Sequence, residues 1–100
     1  MPYMGLSMLQ RVNSNTSLNF RNANNQNEIL RTASLIELAT TIHRCQFHVY
    51  ISPDYRRVFI AGGEFSPPDS GYAREADRLE IEALADRFNS AELRQVLATI

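Results

Sequence analysis

Gln46-Phe47-His48-Val49-Tyr50-Ile51-Ser52, then Pro53-Asp54-Tyr55-Arg56, then Arg57-Val58-Phe59-Ile60-Ala61 is the stretch whose reading decides the fold. Two alternating, β-rich runs flank a Pro-Asp pair. Proline presets the backbone for the second position of a turn, and Asp bonds to the backbone beyond it. The stretch therefore predicts a β-hairpin over residues 46–61. With Pro53 to Arg56 as a four-residue loop, Ile51 faces Val58, Val49 faces Ile60 and Tyr50 faces Phe59. A one-residue slip would set Ile51 against Arg57 and mix apolar with charged partners, so an odd loop length is disfavoured. Phe47, Val49, Ile51, Val58 and Ile60 then form a face turned to helices. His48, Tyr50, Arg57 and Phe59 form the outer face, with Tyr55 and Arg56 at the turn.

Past the hairpin, Gly62-Gly63 and Ser66-Pro67-Pro68-Asp69-Ser70-Gly71 stop the sheet, because proline brings no ladder donor and glycine weakens a strand. A helix follows from about 71 to 88, capped by Asp69 or Ser70. Its apolar rows are Ala76, Leu79, Ala83 and Ile81, Leu84, Phe88, while Arg74, Glu75, Arg78, Glu82 and Asp86 face water. Asn89 with Glu92 has the form of a capping box. Leu93, Val96, Leu97 and Ile100 at helical spacing predict a short last helix.

Before the hairpin, Asn25 and Glu28 form another capping pattern, and Leu35, Leu38, Ala39 and Ile42 share one side at helical spacing, with Ile29, Ala33 and Ile36 beside them. This predicts a helix over 25–44. Residues 1–24 end in an Asn-rich stretch, seven Asn between positions 13 and 27, a composition of turns and caps. Part of this segment is expected to be mobile. Ser7 to Val12 and Thr16 to Arg21 permit an N-terminal hairpin, with a short helix through Met4, Met8, Leu9 and Val12 as the rival. The fold class is α+β: one domain over 1–100, in two layers, with a small antiparallel hairpin sheet (ββαββα in one version) packed against two amphipathic helices and a short C-terminal helix.

Composition narrows the function classes. The chain is 100 residues long, 44% hydrophobic and 21% charged, an ordinary globular balance. No apolar run approaches the roughly 18 residues of a membrane span, and the N-terminus has no signal-peptide pattern. With Cys45 as the only cysteine, a cytoplasmic location is expected. The net charge of −1 divides unevenly: residues 1–60 carry six Arg against three acids, and residues 61–100 four Arg against eight acids. All ten basic residues are Arg, which suits bidentate and stacking contacts.

The chemical motifs are short. His43, Cys45 and His48 are the one cluster of soft metal ligands, but their spacing straddles an expected helix end and a strand, which leaves Cys45 as a buried thiol and no metal or cofactor expected. Gly62-Gly63-Glu64-Phe65 resembles the signature loop of diguanylate cyclases, whose glycines sit in a hairpin turn and whose acids bind metal and nucleotide. The resemblance covers four residues. One acid of the pair is missing, Ile60 stands where that family has Arg, and Ser66-Pro67-Pro68 departs from the strand that follows there. Ser52, Cys45, His48 and Asp54 lie close in sequence, yet His48 and Ser52 stand four residues apart along a strand, beyond hydrogen-bond reach. Ile81 to Leu97 has the outline of a helix-turn-helix but is acidic where a recognition helix is basic.

The outer hairpin face remains. It presents Tyr50, Phe59, Arg57, His48, Tyr55 and Arg56, and Tyr, Phe and Arg are enriched at protein interfaces; the alternative is that another strand or the last helix covers this face within the chain. The function expected is a non-catalytic protein-binding module, a small adaptor, regulator or inhibitor of the kind phages and mobile elements encode, with a protein partner or a second copy of itself and no membrane. One alternative is single-stranded nucleic acid stacked on the aromatic and Arg face; another is a small enzyme with its site near His48.

Overall fold

A computed structural model of the chain describes residues 9–12, 17–21, 27–31, 35–42, 44–62 and 73–100. Among the described residues seven strands, β1 (Gln10–Val12), β2 (Ser17–Arg21), β3 (Asn27–Arg31), β4 (Ile36–Ile42), β5 (Cys45–Ile51), β6 (Val58–Gly62) and β7 (Ala73–Glu75), precede two helices, α1 (Arg78–Phe88) and α2 (Ala91–Thr99). The strands form one sheet in the order β1-β4-β5-β6-β7-β2-β3. β1 through β7 in that order pair antiparallel. β2 joins β7 in parallel and β3 antiparallel. The protein is thus a small α+β fold, and no helix among the described residues is long and apolar enough to cross a membrane.

The central hairpin has the expected register: Ile51 opposes Val58, Val49 opposes Ile60 and Tyr50 opposes Phe59. Its turn is closed by the Ser52 N–H to the Arg57 carbonyl at 2.9 Å. Phe47, Val49, Ile51, Val58 and Ile60 are all fully buried against Ile81, Leu84, Phe88, Leu93 and Val96 of the two helices. Burying five such side chains is worth on the order of 10 kcal/mol before entropy is counted. The Phe47 and Phe88 rings stack with centroids 6.0 Å apart.

Both helices have well-made ends. The Asp77 carboxylate accepts from the Glu80 N–H at 2.9 Å while the Glu80 carboxylate accepts from the Asp77 N–H at 3.2 Å, a reciprocal capping box. Asn89 ends α1 in the left-handed conformation, and Ser90 caps α2 by accepting from the Leu93 N–H at 3.2 Å. The helix expected from 71 therefore starts later, and the capping pair is Asp77 and Glu80 rather than Asp69 or Ser70. Ala73 to Glu75 run instead along β6, where the sheet satisfies their backbone.

The larger correction concerns 25–44. In place of a helix the chain forms β3 and β4, so the ββαββα order is not adopted and both helices lie at the C-terminal end. Four of the seven β4 residues (Ile36, Thr40, Thr41, Ile42) are β-branched, and β-branched side chains fit a pleated surface better than a helix. Leu38 and Ile42 alternate into the core with Ile36 packed beside them. Ile42 pairs with Cys45, and Arg44, just before β5, takes φ 67°. The N-terminal hairpin also re-pairs: β1 adds to β4 and β2 to β3, at opposite sides of the sheet. The expected mobile stretch falls largely outside the described residues.

Candidate functional site: the outer face of the sheet

Alternation along the strands turns Glu37 (β4), His48 and Tyr50 (β5), Phe59 (β6) and Ala73 and Glu75 (β7) away from the helices. Of the two states the sequence allows for this face, covered within the chain or open to a partner, Tyr50 and Phe59 adopt the first: Tyr50 is 8% exposed and Phe59 0%. They form a second apolar cluster with Ala73, with Leu35 and Ala61 packed against it.

Polar groups ring this cluster in two places. On one side the Arg57 guanidinium donates through Nε to Glu75 Oε2 at 3.0 Å and through Nη2 to Oε1 at 2.9 Å. Its Cζ lies 5.0 Å from the centre of the Phe59 ring. Glu75 is cross-strand neighbour to Phe59, so a planar fork and a carboxylate lie over an aromatic side chain, a bidentate arrangement that Lys could not reproduce.

On the other side His48 Nδ1 lies 3.1 Å from Glu37 Oε2. Glu37 is directly opposite Tyr50, and the His48 and Tyr50 rings stack at 6.0 Å with planes 13° apart. Glu37 is only 3% exposed, and its Oε1 is buried with no hydrogen-bond partner among the described residues. Burial first, then the charge of Glu37 and hydrogen bonding to its carboxylate, push the Tyr50 phenol up to about 12. The helical period expected over 25–44 sets Glu37 on the side away from Leu38 and Ile42, where an acid carries no functional signal. Its signal was present in strand alternation, which sets an acid two residues from Leu35 and Ala39 on one face.

The hairpin tip forms a separate feature. Ser52 Oγ donates to Asp54 Oδ1 at 2.7 Å and accepts the N–H groups of Arg56 at 3.2 Å and Arg57 at 2.9 Å. Asp54 Oδ1 also accepts from the Arg56 N–H at 3.1 Å. The hydrogen bond from Ser52, followed by that from the Arg56 backbone, holds the Asp54 carboxyl below its usual range. These bonds set Tyr55 at φ 60°, a conformation that bulky residues adopt only where surroundings compel it. Tyr55 packs in part against the helix-side core and Arg56 is exposed.

The remaining sequence motifs resolve structurally. Cys45 is exposed rather than buried, and three residues from His48 on a strand it points to the opposite face. His43 lies outside the described residues. Among the described residues no three of His, Cys, Asp and Glu gather in metal-binding geometry. Ser52 and Asp54 are engaged in the turn. Gly62 has φ 85°, and a Cβ there would stand 2.2 Å from the Gln46 carbonyl oxygen, so the close approach of β5 and β6 accounts for that glycine. The rest of the Gly-Gly-Glu-Phe loop is outside the described residues. Comparison with protein-family models, curated proteins and solved structures finds no match to this chain.

Proposed function

We propose that the protein is a binding module for another protein, docking through the tip of the β5–β6 hairpin. The fixed conformation of that tip carries the reading: two side chains and two backbone bonds hold four residues, with Tyr55 in the left-handed region. A loop ordered before binding loses little entropy on docking, and backbone strain of this kind accumulates at recognition sites. Tyr55 and Arg56 are then the contact residues. Tyr50 and Phe59 support the hairpin from behind, and Arg57 and His48 are held by acids. Burial of both rings counts against a base-stacking platform for single-stranded nucleic acid. Capture of a partner with the wild-type chain, followed by titration of that partner against Arg56→Glu, tests the proposal. An affinity loss of about tenfold or more at an unchanged thermal midpoint is expected; equal affinity removes the tip from the interface.

One observation favours a chemical site as second reading. A carboxylate on His48 Nδ1 fixes the tautomer and leaves Nε2 as the basic nitrogen, and the His48 side chain is 31% exposed. Under that reading Glu37 orients His48 as a general base. Glu37→Gln would then lower the rate at which diethyl pyrocarbonate acylates His48, whereas an unchanged rate would leave the pair a structural contact.

A further inference from the structure

We propose that Tyr50 is a positioning residue for the Glu37–His48 pair: its ring holds the plane of the imidazole so that Nδ1 stays on Glu37 and Nε2 remains the basic nitrogen. This role rests on the reading of His48 as a general base oriented by Glu37, and adds the group that keeps the two in line. The last torsion of a histidine side chain is broad, so a carboxylate on one nitrogen does not by itself fix the ring. The Nδ1 to Oε2 distance of 3.1 Å therefore needs a brace. The cross-strand neighbours of His48 are Ala39 on β4 and Ala61 on β6, and neither offers a ring or a polar group. Tyr50, two residues further along β5, lies on the same face. Its ring centre is 6.0 Å from that of His48, with the planes 13° apart.

Tyr50 can serve as a brace because it is itself held. Its cross-strand neighbours are Glu37 and Phe59. Phe59 is inaccessible and Tyr50 is 8% exposed, and both belong to the apolar cluster with Ala73, against which Leu35 and Ala61 pack. Phe59 in turn carries the Arg57 guanidinium, 5.0 Å from its ring centre. A ring packed in this way does not follow the imidazole when it turns, so the stack resists rotation of His48. Glu37 makes that resistance matter. Its side chain is 3% exposed, Oε2 accepts from His48 Nδ1, and Oε1 is buried without a hydrogen-bond partner. A buried carboxylate with one oxygen unserved depends on the donor at the other. The Tyr50 ring protects that donor, and with it the tautomer in which Nε2 carries the lone pair.

Ring 15N chemical shifts of the full chain report the tautomer of neutral His48, and mass spectrometry of the His48 peptide reports its rate of acylation by diethyl pyrocarbonate. The wild type should show one tautomer, with the proton on Nδ1. Tyr50→Leu should show both, and its acylation rate should fall to that of Glu37→Gln. Tyr50→Phe keeps the ring and should keep the single tautomer and the wild-type rate. Tyr50→Leu combined with Glu37→Gln should be no slower than either alone, because Tyr50 acts through the Glu37 contact, whereas independent packing effects would add. Tyr50→Met fills the site without a ring and repeats the test should the Leu variant lose its native amide spectrum. A single tautomer in the ringless variants, with Glu37→Gln slowing acylation, overturns the proposal and leaves the general-base reading in place. Tyr50→Phe behaving like Tyr50→Leu also overturns it, since the role would then belong to the phenol. No effect of Glu37→Gln removes the general-base reading, and this role of Tyr50 with it.

Discussion

The two faces of the central hairpin bury aromatic rings equally well by different means. On the helix side Phe47 is fully buried among aliphatic and aromatic neighbours drawn from β4, β6, α1 and α2. On the outer side Phe59 is just as inaccessible, but its described apolar company is Tyr50, Ala73, Leu35 and Ala61, and it is flanked by the Arg57–Glu75 pair. One face is apolar throughout. The other joins a small apolar cluster to charged groups that must remain satisfied, which is where a fold keeps polar chemistry close to its core.

The comparison breaks most readily with a pair of truncations. Phe47→Ala should lower stability by about 3–5 kcal/mol, the ordinary cost of an aromatic cavity in a packed core. Phe59→Ala should cost nearly as much, about 3 kcal/mol, if the outer cluster is core in the same sense. Urea unfolding midpoints measure both. A loss below about 1 kcal/mol for Phe59 would show that the outer face is loosely covered and that the two faces differ in energy as well as composition.

The second effect is smaller and depends on pH. The Tyr50 phenol is raised from 10.0 to about 12 in the folded protein, so above pH 10 the unfolded chain loses this proton before the native chain does. The associated stability is complete below pH 10, falls as pH rises and is gone above about 12. Two pKa steps correspond to at most roughly 2–3 kcal/mol. Tyr50→Phe should flatten this part of the stability profile between pH 10 and 12. A slope equal to that of the wild type would show that Tyr50 carries no part of the alkaline loss.

How much of this was legible in the sequence follows from the strength of local signals. The hairpin register was readable because the period of two, the Pro-Asp turn and the matching of apolar partners agree, and a slip would have mixed faces. The β4 segment was not, because Leu35, Leu38, Ala39 and Ile42 satisfy a helical period as well as a strand period over so short a run. Pairing of β4 with β1 on one side and β5 on the other decides it. Asp77-Arg78-Leu79-Glu80 was a complete capping box in plain view, outweighed in the reading by the turn residues at 66–71. The outer face could be named but not its state: alternation shows that Tyr50 and Phe59 share a side, and only the position of β7 beside β6, together with Leu35 and Ala73, shows that the side is covered. Glu37 became visible only once β4 was a strand.

The smallest expected effect sharpens what the charged rim does. Arg57 and Glu75 form a bidentate pair whose side chains are 38% and 24% exposed, so water screens much of their attraction and a coupling of about 0.5–1 kcal/mol is expected. Contact of the guanidinium with the Phe59 ring adds about 0.5 kcal/mol. These two contributions can be told apart. In a double-mutant cycle of Arg57→Ala and Glu75→Ala the coupling energy should fall as salt rises from about 0.05 to about 1 M, because ion pairs are screened over that range. The remaining cost of Arg57→Ala should persist at high salt, because it arises from packing and ring contact. A coupling that does not change with salt would place the pair in a drier setting than its exposure implies and would make the outer face resemble the inner one more closely.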